Sequence, residues 1–199
     1  MTARASRPRG PRGPEADTRA DIVRAALELF STDGYEKTSM RAIARAAGVD
    51  PSLPRHYFAS KSELFFASVG PLDVIDANVA RILDGPVDTV GVRILTTFVG
   101  LWDDPDMGRR LQTIVRSAMT TPEVANLARS ILFDRLFLPF ARLFGDDDLE
   151  ARAGAAMTIA LGLAMSRYVL KVPPIASIPS DRFVARFAPA MQLMVSGAS

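Results

Sequence analysis

The segment from Thr38 to Lys61 leaves the chain little freedom. Met40, Ile43, Ala44 and Ala47 recur at i, i+3, i+4 and i+7, the spacing of one apolar stripe on a helix. Thr38 or Ser39 offers a hydroxyl to cap its start. Gly48 stops it, because glycine enters the left-handed conformation of a helix end without a Cβ penalty. Asp50-Pro51 then opens another helix, with aspartate as the cap and proline at the first position, where a missing N–H costs nothing. Two short helices thus meet across the turn Ala47-Gly48-Val49, the layout of a helix-turn-helix.

The remainder carries helical punctuation and no strand signal. Thr18-Arg19-Ala20-Asp21 fits a helix-start box, and Ile22, Val23, Ala26, Leu27 and Phe30 follow at helical spacing up to Asp33-Gly34, which predicts a helix over 18–32. Ser60 caps a fourth helix, interrupted near Gly70-Pro71 and resuming over 73–83. Further helices are expected over 87–101, 105–119, 122–144, 147–171 and 180–196, introduced by pairs such as Asp104-Pro105 and Thr121-Pro122. The expected fold class is all-α: a basic arm over 1–16, a three-helix unit carrying the helix-turn-helix over 17–64, and a larger helical domain over 65–199.

Composition narrows the chemistry. There is no cysteine and a single histidine, His56, among 199 residues. Disulfides, thiolate catalysis and Cys- or His-rich metal sites therefore lack material. No nucleophile–base constellation stands out either, so an enzyme is not expected, and no metal or cofactor is implied. Met1 to Pro14 has no hydrophobic centre, and the longest apolar run, Ala153 to Ser166 between Arg152 and Arg167, is 14 residues and too short to span a bilayer. A cytoplasmic protein with no membrane partner is the default expectation.

Charge is unevenly placed. Residues 1–62 hold 11 Lys or Arg against 7 Asp or Glu, whereas residues 63–199 hold 13 against 15. Basic charge is gathered where a nucleic-acid partner would be sought. Arg4, Arg7, Arg9 and Arg12 lie among Pro and Gly with little to pack, as a solvated tail or as an arm touching phosphates or a minor groove.

Several runs in order closely resemble the N-terminal domain of TetR-family transcriptional regulators: Ile22 to Phe30, Gly34-Tyr35, Thr38 to Ala44, Ala47-Gly48-Val49 and His56 to Phe65. Leu161 to Leu170 followed by Pro173 resembles one TetR-type effector domain. The resemblance implies a homodimer built through the last two long helices, double-stranded operator DNA as partner, and release of a palindromic operator, usually by a repressor, when an unidentified small molecule enters the C-terminal domain. By position it implies base reading by Arg41, a groove-facing surface at Ser52, Leu53 and Arg55, and phosphate contacts from Thr38, Ser39, Tyr57 and Lys61. Arg45 reads as a solvated or phosphate-facing charge, and His56 as a packed or phosphate-touching ring.

Pro54 departs from that pattern. In a helix capped by Asp50 it is the fourth residue, so its absent N–H forfeits the first intrahelical bond and its ring crowds the Asp50 carbonyl. Either the first turn is kinked or 3₁₀-like, or Ser52 becomes the cap and the regular helix starts near Leu53. Both shift the reading head and predict an operator unlike those of close relatives.

In the C-terminal half the Ala- and Gly-rich run 153–166 is apolar all round and must be covered all round, by the domain core alone or by the core and a second subunit. Effector-pocket candidates are Phe98, Leu101, Trp102, Arg116, Met119, Phe133, Phe137, Arg167 and Tyr168. Arg116 and Arg167 sit in apolar helical stretches, where a buried charge needs a partner, with Asp134 or Asp103 expected ahead of an anionic ligand. A competing class is a helical small-molecule-binding or interaction protein whose DNA head is impaired by Pro54.

Overall fold

The computed structural model describes residues 14–70 and 72–197, and every regular element among them is helical. α1 runs Pro14–Lys37, broken at Gly34, whose φ of 79° and ψ of 171° leave helical space. The Asp33-Gly34 stop is therefore real, but one more turn follows it. The start lies four residues before the Thr18 box, which sits inside the helix rather than capping it. The arm's Arg4, Arg7, Arg9 and Arg12 fall outside the described residues.

α2 (Met40–Ala47), α3 (Leu53–Tyr57) and α4 (Lys61–Val69) complete the head. Gly48 takes the left-handed conformation at φ 68° and returns its N–H to Ala44 and Arg45, as its position required. At α4 the Ser60 hydroxyl accepts from the Glu63 N–H at 3.0 Å, and the Glu63 carboxylate reaches back to the Ala59 N–H at 2.7 Å.

α5 (Leu72–Leu83) leads through a short 3₁₀ turn into α6 (Val90–Asp103), α7 (Pro105–Thr120) and α8 (Pro122–Ser130). The helix expected over 122–144 is not regular: a π-helical segment, Ile131–Phe137, joins α8 to α9 (Leu138–Arg142). A second π-segment, Met165–Val169, ends α10 (Leu149–Ala164). The short α11 (Pro173–Ala176), which the sequence did not announce, precedes α12 (Ser180–Ser196).

Two apolar cores result. The C-terminal one gathers α5, α6, α9, α10 and α12 around Leu95, Phe140, Phe183 and Met191. Gly91 matters there, since a Cβ on it would stand 2.7 Å from the Ala188 carbonyl oxygen, so α6 and α12 cross that closely only over glycine. The head's core, around Ile22, Phe30, Ile43, Phe58 and Phe65, also takes in Val124, Ala128 and Ile131 from α8 and the π-segment. The head is thus packed into the C-terminal half and does not hang from it on a linker.

Candidate nucleic-acid interface and effector region

A groove of about 770 Å³ opens between α2, α3 and the start of α4, lined by Glu36, Ser39, Met40, Arg41, Pro51, Ser52, Arg55, Ser60 and Lys61 among others. Ser39, not Thr38, caps α2, accepting from the Ala42 N–H at 3.1 Å. Arg41 and Arg55 are exposed. The Lys61 ammonium stands 4.1 Å over the Tyr35 ring, and burial pushes it below its ordinary pKa while Glu36 and Glu123 act against that shift. Hydroxyls, two guanidiniums, an ammonium and the N-termini of α2 and α4 thus converge on one concave face, which is the equipment for gripping a polyphosphate backbone and reaching base edges.

Thr38 also borders the groove but is 2% exposed, and its hydroxyl donates to the Gly34 carbonyl at 2.8 Å and the Leu29 carbonyl at 3.3 Å, which ties α2 to the kink in α1. Arg45 and His56 are exposed but do not line the groove. His56 meets Tyr57 edge-on with ring centroids 5.2 Å apart. Leu53 and Tyr57 are half-buried against the head's core, which leaves only part of each for a partner. Glu36, a carboxylate in a groove otherwise suited to anions, was not anticipated.

Pro54 is accommodated by both routes at once. The Leu53 N–H bonds the Asp50 carbonyl at 3.0 Å in a 3₁₀-like turn, and Ser52 occupies the cap position with its backbone already helical. The Asp50 carboxylate accepts from the Ser52 hydroxyl at 2.6 Å and the Ser52 N–H at 2.8 Å, and these bonds hold its pKa below the ordinary carboxylate value. Pro54 becomes the second helical residue, where its lost donor breaks nothing.

The effector candidates separate. Phe98, Trp102 and Tyr168 form one aromatic cluster, with Trp102 stacked on Tyr168 at 5.0 Å. Phe137 is core, Phe133 packs against it, and Met119 is 69% exposed. Arg116 is exposed and, among the described residues, reaches Gln112 at 3.4 Å, so it is not the buried charge expected there. Arg167 is buried, but its partners are the Ile175 and Ile178 carbonyls and Ser180 rather than a carboxylate. Asp103 instead accepts from Tyr168 at 3.0 Å and Ser180 at 2.7 Å, while Asp134 accepts from Ser130. Burial pushes the Tyr168 phenol up to about 12.

A cleft of about 780 Å³ lies elsewhere, between α5, α6 and the start of α7, lined by Asn78, Arg81, Ile82, Arg93, Thr96, Leu101 and Met107 among others. Of the sequence candidates only Leu101 reaches it. Among the described residues no group of His, Cys, Asp or Glu could hold a metal ion, and no helix is long and apolar enough to cross a membrane.

Comparisons with known proteins agree with this geometry. Residues 22–68 match the family described as bacterial regulatory proteins, tetR family, and residues 88–195 match the tetracyclin repressor-like C-terminal domain. The HTH-type transcriptional regulator BetI of Rhizobium meliloti is 42% identical over 60 residues, a stretch covering 30% of each chain. The HTH-type transcriptional activator FasR of Mycolicibacterium smegmatis is 28% identical over 171 residues, 81% of this chain and 76% of that protein. Among solved structures, a TetR-family regulator from Streptomyces coelicolor A3 superposes with a TM-score of 0.77 at 30% identity, covering 94% of this chain and 99% of that one. With more than half of its length matched by the C-terminal domain of this family and the helix-turn-helix matched separately, the chain belongs to the TetR family of regulatory proteins.

Proposed function

We propose that the chain is a homodimeric, sequence-specific transcriptional regulator that holds a palindromic operator and releases it when a small molecule enters the C-terminal domain. The observation that carries this reading is the single groove formed by Ser39, Arg41, Ser52, Arg55, Ser60 and Lys61. Lys61, Ser39 and the two helix N-termini grip phosphates; Arg41 and Arg55 reach base edges. Dimerisation through the last long helices is supported by the two-sided character of α10, which buries Ala153, Ala156, Ala160 and Leu163 while leaving Leu161 39% exposed. Leu193 on α12 is 44% exposed. An effector acts by favouring a spacing of the two heads that no longer matches successive major grooves about 34 Å apart. Repression is the sign we propose; the similarity to FasR favours activation as the second reading, and a reporter carrying the operator separates them by whether loss of the protein raises or lowers transcription.

Footprinting on DNA upstream of the chain's own coding sequence tests this. A discrete palindromic footprint is expected, with Arg41→Ala costing about 1–3 kcal/mol of specific affinity and relaxing the sequence preference. Binding that is steeply salt-dependent and indifferent to sequence overturns operator reading. Replacing Pro54 with Leu is expected to change the preferred operator, because the start of α3 is reset.

A further inference from the structure

Glu36 places negative charge in the groove that holds Ser39, Arg41 and Lys61. Nothing from the head holds it in place by a hydrogen bond among the described residues; its carboxylate accepts a hydrogen bond from the Thr121 hydroxyl, 85 residues away. Thr121 is 3% exposed and stands at the junction between α7 and α8, beside Val124, which belongs to the head's core. The Lys61 ammonium lies over Tyr35, whose ring is fixed by Phe30 and Phe65. Glu36 and Glu123 both act on that ammonium electrostatically, and neither closes an ion pair with it among the described residues.

We propose that Thr121 and Glu36 are positioning residues for the phosphate grip of Lys61: the buried hydroxyl holds the carboxylate at the α7–α8 junction, and displacement of that junction frees it to pair with Lys61 in the phosphate's place. This rests on the operator-binding reading above and adds the step by which a movement in the C-terminal half reaches the DNA surface. An anion that must be kept away from a cation makes a switch: a small shift of the junction changes which anion the ammonium serves. Thr121 suits the role because a buried hydroxyl has few alternative partners, while Glu36 is exposed and free to swing once released.

The test is binding of the full chain to operator DNA and to random-sequence duplex, each over a range of salt. Thr121→Val is expected to weaken both several-fold and to lower the salt slope by about 0.9, one phosphate contact. Thr121→Ser, which keeps the hydroxyl, binds as the parent does. Glu36→Gln binds at least as tightly as the parent, and adding Thr121→Val to Glu36→Gln, or to Lys61→Met, has no further effect. If Thr121→Val weakens binding equally in the Glu36→Gln background, Thr121 acts through packing and the proposal is overturned, as it is if Thr121→Val binds like the parent. Phosphate contacts carry no sequence information, so the random duplex reports on the latch even where no preferred sequence exists; absence of a preference overturns operator reading alone.

Discussion

In the head, Arg41, Arg45 and Arg55 stand exposed on two short helices, whereas in the C-terminal half Arg152 and Arg167 are buried and Arg93 half-buried, each donating to main-chain carbonyls. Arg152 is the fullest case: it reaches the carbonyls of Asp147 at 2.9 Å, Ala141 at 2.9 Å, Val195 at 3.0 Å and Gly145 at 2.5 Å, closing the ends of α9 and α12 together. Arg93 does the same for Ile82 and Pro86 at the end of α5. Helix C-termini carry orphan carbonyls and partial negative charge, so a guanidinium set among them is satisfied without a carboxylate. The same residue type therefore stands open to solvent in one half and replaces missing backbone bonds in the other.

The comparison is most directly broken at Arg152. Arg152→Met is expected to lower the unfolding free energy by about 3 kcal/mol, since it strands the buried carbonyl bonds to α9 and α12 and the part-buried ones to the loop between α9 and α10 at once. Arg41→Ala changes stability by less than about 0.5 kcal/mol, because it removes an exposed side chain. Urea melts of the two variants would show the opposite order if buried arginines were incidental. Arg167→Met should fall between them, at about 1–2 kcal/mol, as it touches two carbonyls and Ser180.

Local chemistry made the head readable. Gly48, Ser60 and the apolar stripe of α2 act within a few residues of themselves, and their geometry follows from that. What escaped was decided across the fold. Thr38 and Ser39 are equally good caps in isolation, and only the kink at Gly34, which presents a carbonyl to Thr38, assigns the cap to Ser39. Arg152 looked like the polar border of an apolar helix because its acceptors come from sequence separations of up to 43 residues. The π-segments carry no periodicity signal, and they rotate Phe137 into the core and Arg167 toward α11. The cleft beside Arg93 was not anticipated because its lining is assembled from α5, α6 and the start of α7, which only the fold brings together.

A finer test lies in the two neighbouring threonine and serine hydroxyls. Thr38→Val should cost about 1 kcal/mol of stability by stranding the Gly34 carbonyl, and leave the salt slope of DNA binding unchanged. Ser39→Ala should cost a similar ~1 kcal/mol through the lost cap, but with weaker DNA binding, since its hydroxyl faces the groove. Equal effects of both on DNA binding would make Thr38 a direct contact as well.

The smallest expected effect is alkaline and confined to the C-terminal half. Burial holds the Tyr168 phenol up to about 12, against about 10 for a phenol in an unfolded chain. Between those values the folded protein keeps a proton that the unfolded chain has lost, so raising the pH favours unfolding. The stability tied to this shift is fully present below pH 10 and is withdrawn as pH rises through 12. Tyr168→Phe should remove one late phenolate transition from an ultraviolet absorbance titration and flatten the alkaline fall in Tm. Tyr35, also pushed up by burial, remains as an internal reference in the head. If the late transition survives in Tyr168→Phe, the phenol is not the group held protonated beside Asp103, and the cluster that closes this end of the domain is looser than its hydrogen bonds imply.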